Sequence, residues 1–190
     1  MILAVKRDEK YYLLTTKDLI TNSFKIKNEA FNEENIAIFE LKNTNITFAT
    51  PLNGLIPDII RYIDFDIDEL DFFSADMIVK RIKSKLDEYC QLVENKIPIS
   101  FLLIQGDKAY FVESENNIYL IDDYYVLAND DEEGQSDSFG NILRKNEKEI
   151  LSLVDEVKKY LDFILRIKTP EILIYDTSSK TKMIKNYDKW

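Results

Sequence analysis

The chain has 190 residues, 45% hydrophobic and 32% charged, with a formal net charge of −10 and no histidine. These are globular proportions for a single domain, 1–190, able to bury most of its apolar surface, and the acidic balance leaves no basic excess to neutralise nucleic-acid phosphates. The absence of histidine removes the Ser-His-Asp and Cys-His arrangements, so a catalytic base would have to be a carboxylate, a lysine, a tyrosine or a free N-terminal amine.

Cys90 is the only cysteine, which rules out an intrachain disulfide and, with no histidine, the usual structural zinc sites. A buried small hydrophobe on a helix is the expectation for it. No apolar run approaches the roughly 20 residues of a spanning helix, and no signal-peptide pattern opens the chain. The expectation is a cytoplasmic protein with no cofactor, no nucleic acid and no membrane.

In chain order, Ile2 to Val5 and Tyr11 to Leu14 are apolar runs around the charged residues Lys6 to Lys10, which reads as a β-hairpin. The polar stretch from Thr21 to Asn35 has no strong period, and irregular structure or a weak strand is expected. Ile36 to Leu41 and Ile46 to Ala49 flank the turn Lys42-Asn43-Thr44-Asn45 as a second hairpin. Pro51 and Gly54 then mark a change of period. Ile56, Ile59, Ile60 and Ile63 form a helical stripe, followed by the acidic run Asp64, Asp66, Asp68, Glu69 and Asp71. No glycine bends that run into a ligand loop, so a solvated helix end is expected.

Ser74 is placed to cap a helix reaching about Val93, with Ile78, Ile82, Leu86, Tyr89 and Val93 on one face. After Pro98, Phe101 to Ile104, Tyr110 to Val112 and Ile118 to Ile121 form a strand meander turned at Gly106-Asp107 and Glu115-Asn116. Tyr124 to Leu127 is a possible fourth strand. Asn129, Asp131 and Glu133, with Gly134 next, have the oxygen spacing that opens an EF-hand loop. Gly140 stands where the closing glutamate belongs, so a solvated acidic loop is the expectation and no metal is assigned. Ser136 to Arg144 could add a short helix. Asn146 and Glu149 are spaced close to a capping box. Ile150, Leu153, Val157, Leu161 and Ile164 form the cleanest amphipathic stripe, and Pro170 stops it. Glu171 to Tyr175 and Thr181 to Ile184 then read as strands around a Thr-Ser-Ser turn, with a tail from Lys185 to Trp190.

The order is two hairpins, two helices, a meander, one or two helices and a closing hairpin, with the sheet starting at the first residues. It resembles the proteasome-type N-terminal-nucleophile hydrolases, which include proteasome subunits and bacterial proteasome-like peptidases. The resemblance rests on Ile2-Leu3-Ala4-Val5-Lys6 as the opening strand and Ile38-Phe39-Glu40-Leu41 as a later strand of the first sheet. Phe48-Ala49-Thr50, the meander, and Ile172-Leu173-Ile174-Tyr175 after the last long helix complete it. It implies an α+β fold, a four-layer α-β-β-α sandwich with two antiparallel sheets, in which the meander belongs to the second sheet. It also implies a homo-oligomer or a protein partner.

In that family a Thr, Ser or Cys at the mature N-terminus is the nucleophile, its own amine is the base, and an acid and a lysine assist. The resemblance sets these positions at Met1 or Ile2, Thr16 and Ala37, none of which carries the required group. Lys25 and Lys27 lie in a segment with no placed element, and the family's later serine turn corresponds to the acidic stretch from Asn129 to Gly134. The preferred reading is a non-catalytic, proteasome-subunit-like protein acting through its surfaces. A peptidase or amidase activated by processing, for example at Thr15 or Thr16, is the alternative from the enzyme class. An unrelated acidic α+β module binding a basic protein is the third. Tyrosines 11, 12, 110, 124 and 125 could line a cleft, but packing at sheet edges is the expectation.

Overall fold

A computed structural model of the chain describes residues 2–15, 19–21, 36–40, 46–51, 58–59, 62–63, 74–94, 98–114, 116–127, 141–142, 149–165 and 171–187. In chain order its strands and long helices are β1 (Ile2–Arg7), β2 (Lys10–Thr15), β3 (Leu19–Thr21), β4 (Ile36–Glu40), β5 (Ile46–Pro51) and α1 (Ala75–Leu92). There follow β6 (Ser100–Gln105), β7 (Lys108–Glu113), β8 (Ile118–Ile121), β9 (Tyr124–Leu127), α2 (Ile150–Leu165), β10 (Glu171–Asp176) and β11 (Thr181–Asn186). They fall into two compact units, Met1–Asp18 with Asp123–Trp190, and Leu19–Asp122.

The first unit holds a sheet of order β11-β10-β2-β1-β9, antiparallel throughout. Its opening hairpin is tighter than the charged run from Lys6 to Lys10 implies. Asp8 and Glu9 take φ of 50° and 58°, a two-residue turn with the left-handed backbone that suits strand twist. Lys6, Arg7 and Lys10 are consequently strand rather than turn. Leu3, Val5, Leu14, Ile172 and Ile174 line one face and pack on Leu153, Val154 and Val157 of α2. Burying each such side chain contributes about 1.5–3 kcal/mol. The opposite face is buried as well, through Ile2, Ala4, Leu13, Leu173 and Tyr175. Burial on both faces explains why these strands read as continuous apolar runs and not as alternating ones.

The second unit holds a sheet of order β3-β4-β5-β6-β7-β8. All its pairs are antiparallel except β3–β4, which is parallel at one edge. Ile46, Phe48, Phe101, Leu103, Tyr110 and Val112 face Ile78, Ile82 and Leu86 of α1. Ile59 and Ile63, from the short helical stretches at 58–59 and 62–63, join the same cluster. Ser74 is extended before α1, and its carbonyl, not its side chain, takes the first helical bonds. Cys90 is buried on the inner face of α1, as a small hydrophobe should be. Gly106, at φ +60°, turns β6 into β7, a conformation that favours glycine. Ile99 and Ser114 close the base of that hairpin reciprocally: Ser114 N donates to Ile99 O, and Ile99 N donates to Ser114 Oγ, both at 2.9 Å.

Three expectations are corrected. The strand at Ile38 belongs to the meander's sheet and not to the first, because β5 carries Phe48 opposite Leu103 of β6, on the face that meets α1. β9 does not extend the meander. A bend at 122–123 delivers it to the other sheet, where Lys6 N donates to Asp123 O at 2.7 Å and Val126 pairs with Leu3. The capping box at Asn146 is out of frame, since α2 begins at Ile150 and the Glu149 carbonyl accepts from Ser152 N and Leu153 N. Residues 141–142 are helical. The polar stretch 22–35, the acidic run at 64–71, the acidic loop at 129–134 and Trp190 lie outside the described residues, whereas Leu19–Thr21 is the strand β3.

Candidate functional site

The family resemblance assigns the nucleophile to Met1 or Ile2, and Met1 lies outside the described residues. Ile2, which opens β1, is 1% exposed, with Thr15 of β2 and Leu127 of β9 as its register partners. Leu3, the next residue, is fully buried against α2. Both side chains are hydrocarbon and can neither attack a carbonyl nor move a proton. Ala37, where the supporting lysine would stand, sits in β4 opposite Ile20 and Thr50. Its methyl group carries no charge to assist a reaction. Met1, Thr16, Lys25, Lys27 and the metal candidates Asn129, Asp131 and Glu133 lie outside the described residues. Among the described residues no group of three His, Cys, Asp or Glu side chains could hold a metal ion. None of the described helices is long and apolar enough to cross a membrane.

Thr15 is the hydroxyl nearest the opening of β1 in the ladder. It is 3% exposed, in register with Ile2 on one side and Leu173 on the other. Cutting the chain there would remove β1 and nearly all of β2, the two strands between β9 and β10. Three ladders would be lost, leaving β9 and β10 with bare edges. The geometry therefore weighs against activation by cleavage at Thr15 or Thr16.

Two ionised clusters went unread in the sequence. In the second unit, Asp76 opens α1, where a carboxylate suits the helix dipole. It accepts from the Tyr110 hydroxyl and pairs with Lys108 at 3.5 Å. The Tyr110 bond, then the Lys108 charge, lower its pKa from the usual range. In the first unit, Asp155 of α2 accepts from Lys185 Nζ at 2.6 Å and from the Tyr187 hydroxyl at 2.9 Å. Lys185 Nζ also donates to Leu151 O at 3.2 Å, and Lys158 stands 4.8 Å above the Tyr187 ring. Lys185 and Tyr187, read from the sequence as part of a tail, are thus held to α2. The visible signal was parity: Met183, Lys185 and Tyr187 share one side of β11 and its extension, the side of Ile172 and Ile174.

Burial first, and the Asp155 hydrogen bond and charge next, raise the Tyr187 pKa well above its usual value, so the phenol stays a donor at neutral pH. Burial alone would raise the Asp155 pKa, but hydrogen bonds from Lys185 and Tyr187 outweigh it and the net shift is downward. A carboxyl lowered on folding adds stability that is present above its unfolded pKa of about 3.9 and lost as pH falls through the folded value. A raised phenol adds stability that is present below about pH 10 and lost on further alkalinisation. Hence the latch should hold through the neutral range, begin to weaken below about pH 4 and above about pH 10, and be lost only beyond the folded values. The phenolate absorbance difference between the parent and Tyr187→Phe checks the alkaline limb, and amide exchange of residues 181–187 checks the acid limb. A protection factor for that segment unchanged down to pH 2 would show that Asp155 does not hold it.

No family model matches this chain, and no curated protein matches it. Among solved structures it is similar to Anbu (ancestral beta-subunit) from Yersinia bercovieri, with a TM-score of 0.56. The two share 13% identity, and the likeness covers 98% of this chain and 87% of that one. At that identity the likeness is one of fold. The fold class is α+β and proteasome-like, with two sheets that each carry a long helix.

Proposed function

We propose that this chain is a non-catalytic protein of proteasome-like fold, acting in a cytoplasmic setting by assembling with itself or binding a protein partner. One observation carries the reading: the opening of β1 is Ile2 and Leu3, buried hydrocarbon side chains held in register between β2 and β9. The rest of the pattern agrees, since the lysine position is Ala37. Unit one is assembled from two segments on either side of unit two in the sequence, in keeping with one domain serving one function. The single cysteine, buried on α1, suits a reducing compartment.

Purified protein offered a panel of fluorogenic peptides is expected to release fluorophore no faster than the buffer blank, and light scattering is expected to report a particle larger than one chain. Turnover that disappears when the N-terminal amine is acetylated would overturn the first part. A monomer at every concentration tested, with no protein partner, would overturn the second.

A further inference from the structure

Among the described residues four strands end the two sheets, β11 and β9 in one and β3 and β8 in the other. β3 and β9 run into residues outside the described ones, whereas β8 and β11 are described together with residues on both sides. Sheet edges that stay single are commonly guarded by lysine, and β11 carries Lys182 and Lys185. β8, Ile118-Tyr119-Leu120-Ile121, carries no charge, in a chain whose net charge is −10. Asn116 and Asn117 lead into it, uncharged as well.

The two central side chains of β8 are the open ones. Tyr119 is 50% and Leu120 is 59% exposed, and alternation puts them on opposite faces of the sheet. Leu120 pairs with Tyr110 on the face that meets α1, where Ile118 is partly buried. Tyr119 pairs with Phe111 on the other face, and the two rings stack with centroids 6.2 Å apart. An uncharged edge with half-exposed apolar side chains on both faces is a template for one more strand.

The order of these side chains selects the occupant. A second copy turned about a two-fold axis perpendicular to the sheet runs antiparallel to the first. Directly opposed side chains then share a face, so odd-numbered residues meet odd and even meet even. Centring the pair on Leu120 would set Ile118 against the charge of Asp122. Centring it on Tyr119 sets Ile118 against Leu120, and Tyr119 against its own copy. The α1 face then holds four aliphatic side chains in a block, and the other face a row of four rings, Phe111, Tyr119 and their copies. No like charges are opposed, which matters where both chains are acidic. We infer that a second copy of this chain pairs antiparallel along β8, with Tyr119 on the two-fold axis, joining the two six-stranded sheets.

The inference rests on the proposed self-assembly and specifies one contact in it. A two-fold contact closes on itself as a dimer. One short strand edge is a small contact beside the roughly 1,600 Å² of a standard stable interface, so the dimer is expected to dissociate on dilution.

The test combines sedimentation velocity with oxidative crosslinking, and circular dichroism confirms the fold of each variant. Leu120→Lys puts a charge on each side of the contact and is expected to weaken dimerisation at least tenfold. Ile184→Lys, at an exposed position of β11, is expected to leave it unchanged. Tyr119→Cys sets two thiols directly opposite, with Cβ atoms about 5 Å apart, and is expected to crosslink to a dimer. Leu120→Cys is expected not to, because its copy lies two positions along the partner strand, about 7–8 Å away. The native Cys90 is buried and adds no crosslink. In a parent that assembles, Leu120→Lys behaving like the parent, or Tyr119→Cys giving no crosslinked dimer, shows this contact to be wrong. Self-assembly then stands, and the β8 edge is left for a strand of another protein. A parent that is monomeric at all concentrations, with no crosslink from Tyr119→Cys, overturns both.

Discussion

Phe48→Ala is expected to remove about 3–5 kcal/mol of stability, the cost of deleting a buried aromatic ring and leaving a cavity. Total stabilities are about 5–15 kcal/mol, so the loss decides whether the second unit stays folded on mild heating. The argument starts from position. Phe48 is fully buried in β5, with Leu103 of β6 and Phe39 of β4 as its register partners. Its ring meets Phe101 edge to face, with centroids 5.6 Å apart and planes at 78°. Neither β5 nor β6 is an edge strand, so the surrounding backbone has little freedom to collapse into the space. Phe101→Ala should cost a similar amount. A double-mutant cycle should leave a coupling of about 0.5–1.5 kcal/mol, the part due to the ring pair beyond its buried area. Urea unfolding measures all three: the midpoint should fall with the slope unchanged. A single-variant loss below about 1 kcal/mol would mean that the β5–β6 layer is not the packed centre of that unit.

Local elements were legible because each is written in a local pattern. Gly106 marks its turn through a positive φ, and Ile78, Ile82 and Leu86 mark the buried face of α1 through a helical period. Val79 and Cys90 also face the core, and both fall beside the stripe that the strict three- and four-residue steps pick out. A buried face wider than two lines of residues takes in such neighbours. Sheet membership was harder. Nothing near Ile38 says which sheet it joins; that is settled by its partner Ala49, which in turn pairs with Leu102, far along the sequence. β9 looked like the meander's fourth strand because it follows closely, yet it pairs with β1. Adjacent strands in sequence are usually neighbours in space, and here the bend at 122–123 breaks that habit.

The proposed reading of the site is of the opposite kind: it rests on what single positions lack. Ile2 and Ala37 can be read as unable to attack or to carry charge without knowing any contact, and burial of Ile2 at 1% exposure fits a packing role. What could not be read is the positive content of the surface. Asp155, Lys185 and Tyr187 are about thirty residues apart and become a cluster only when β11 lies against α2.

The second large effect is expected from α2. Leu153→Ala should cost about 2–5 kcal/mol, whereas Leu151→Ala, two residues earlier on the same helix, should change stability by no more than about 0.5 kcal/mol. Leu153 is fully buried and packs with Val154 and Val157 on Leu3, Val5, Leu14 and Ile174. Leu151 is 47% exposed, and the hydrogen bond that ties it to β11 uses its carbonyl, which alanine keeps. Helix propensity cannot separate the two, since both substitutions replace the same residue near the same helix end. Any difference therefore reports which side of α2 meets the sheet. The consequence reaches β11, because Asp155, the anchor for Lys185 and Tyr187, is carried by that helix two residues on. Loosening α2 through Leu153 should speed amide exchange along residues 181–187 before the rest of the sheet is affected, and Leu151→Ala should leave that exchange unchanged. Equal stability losses in the two variants would mean that α2 does not dock through Leu153, and the latch on β11 would lose its support.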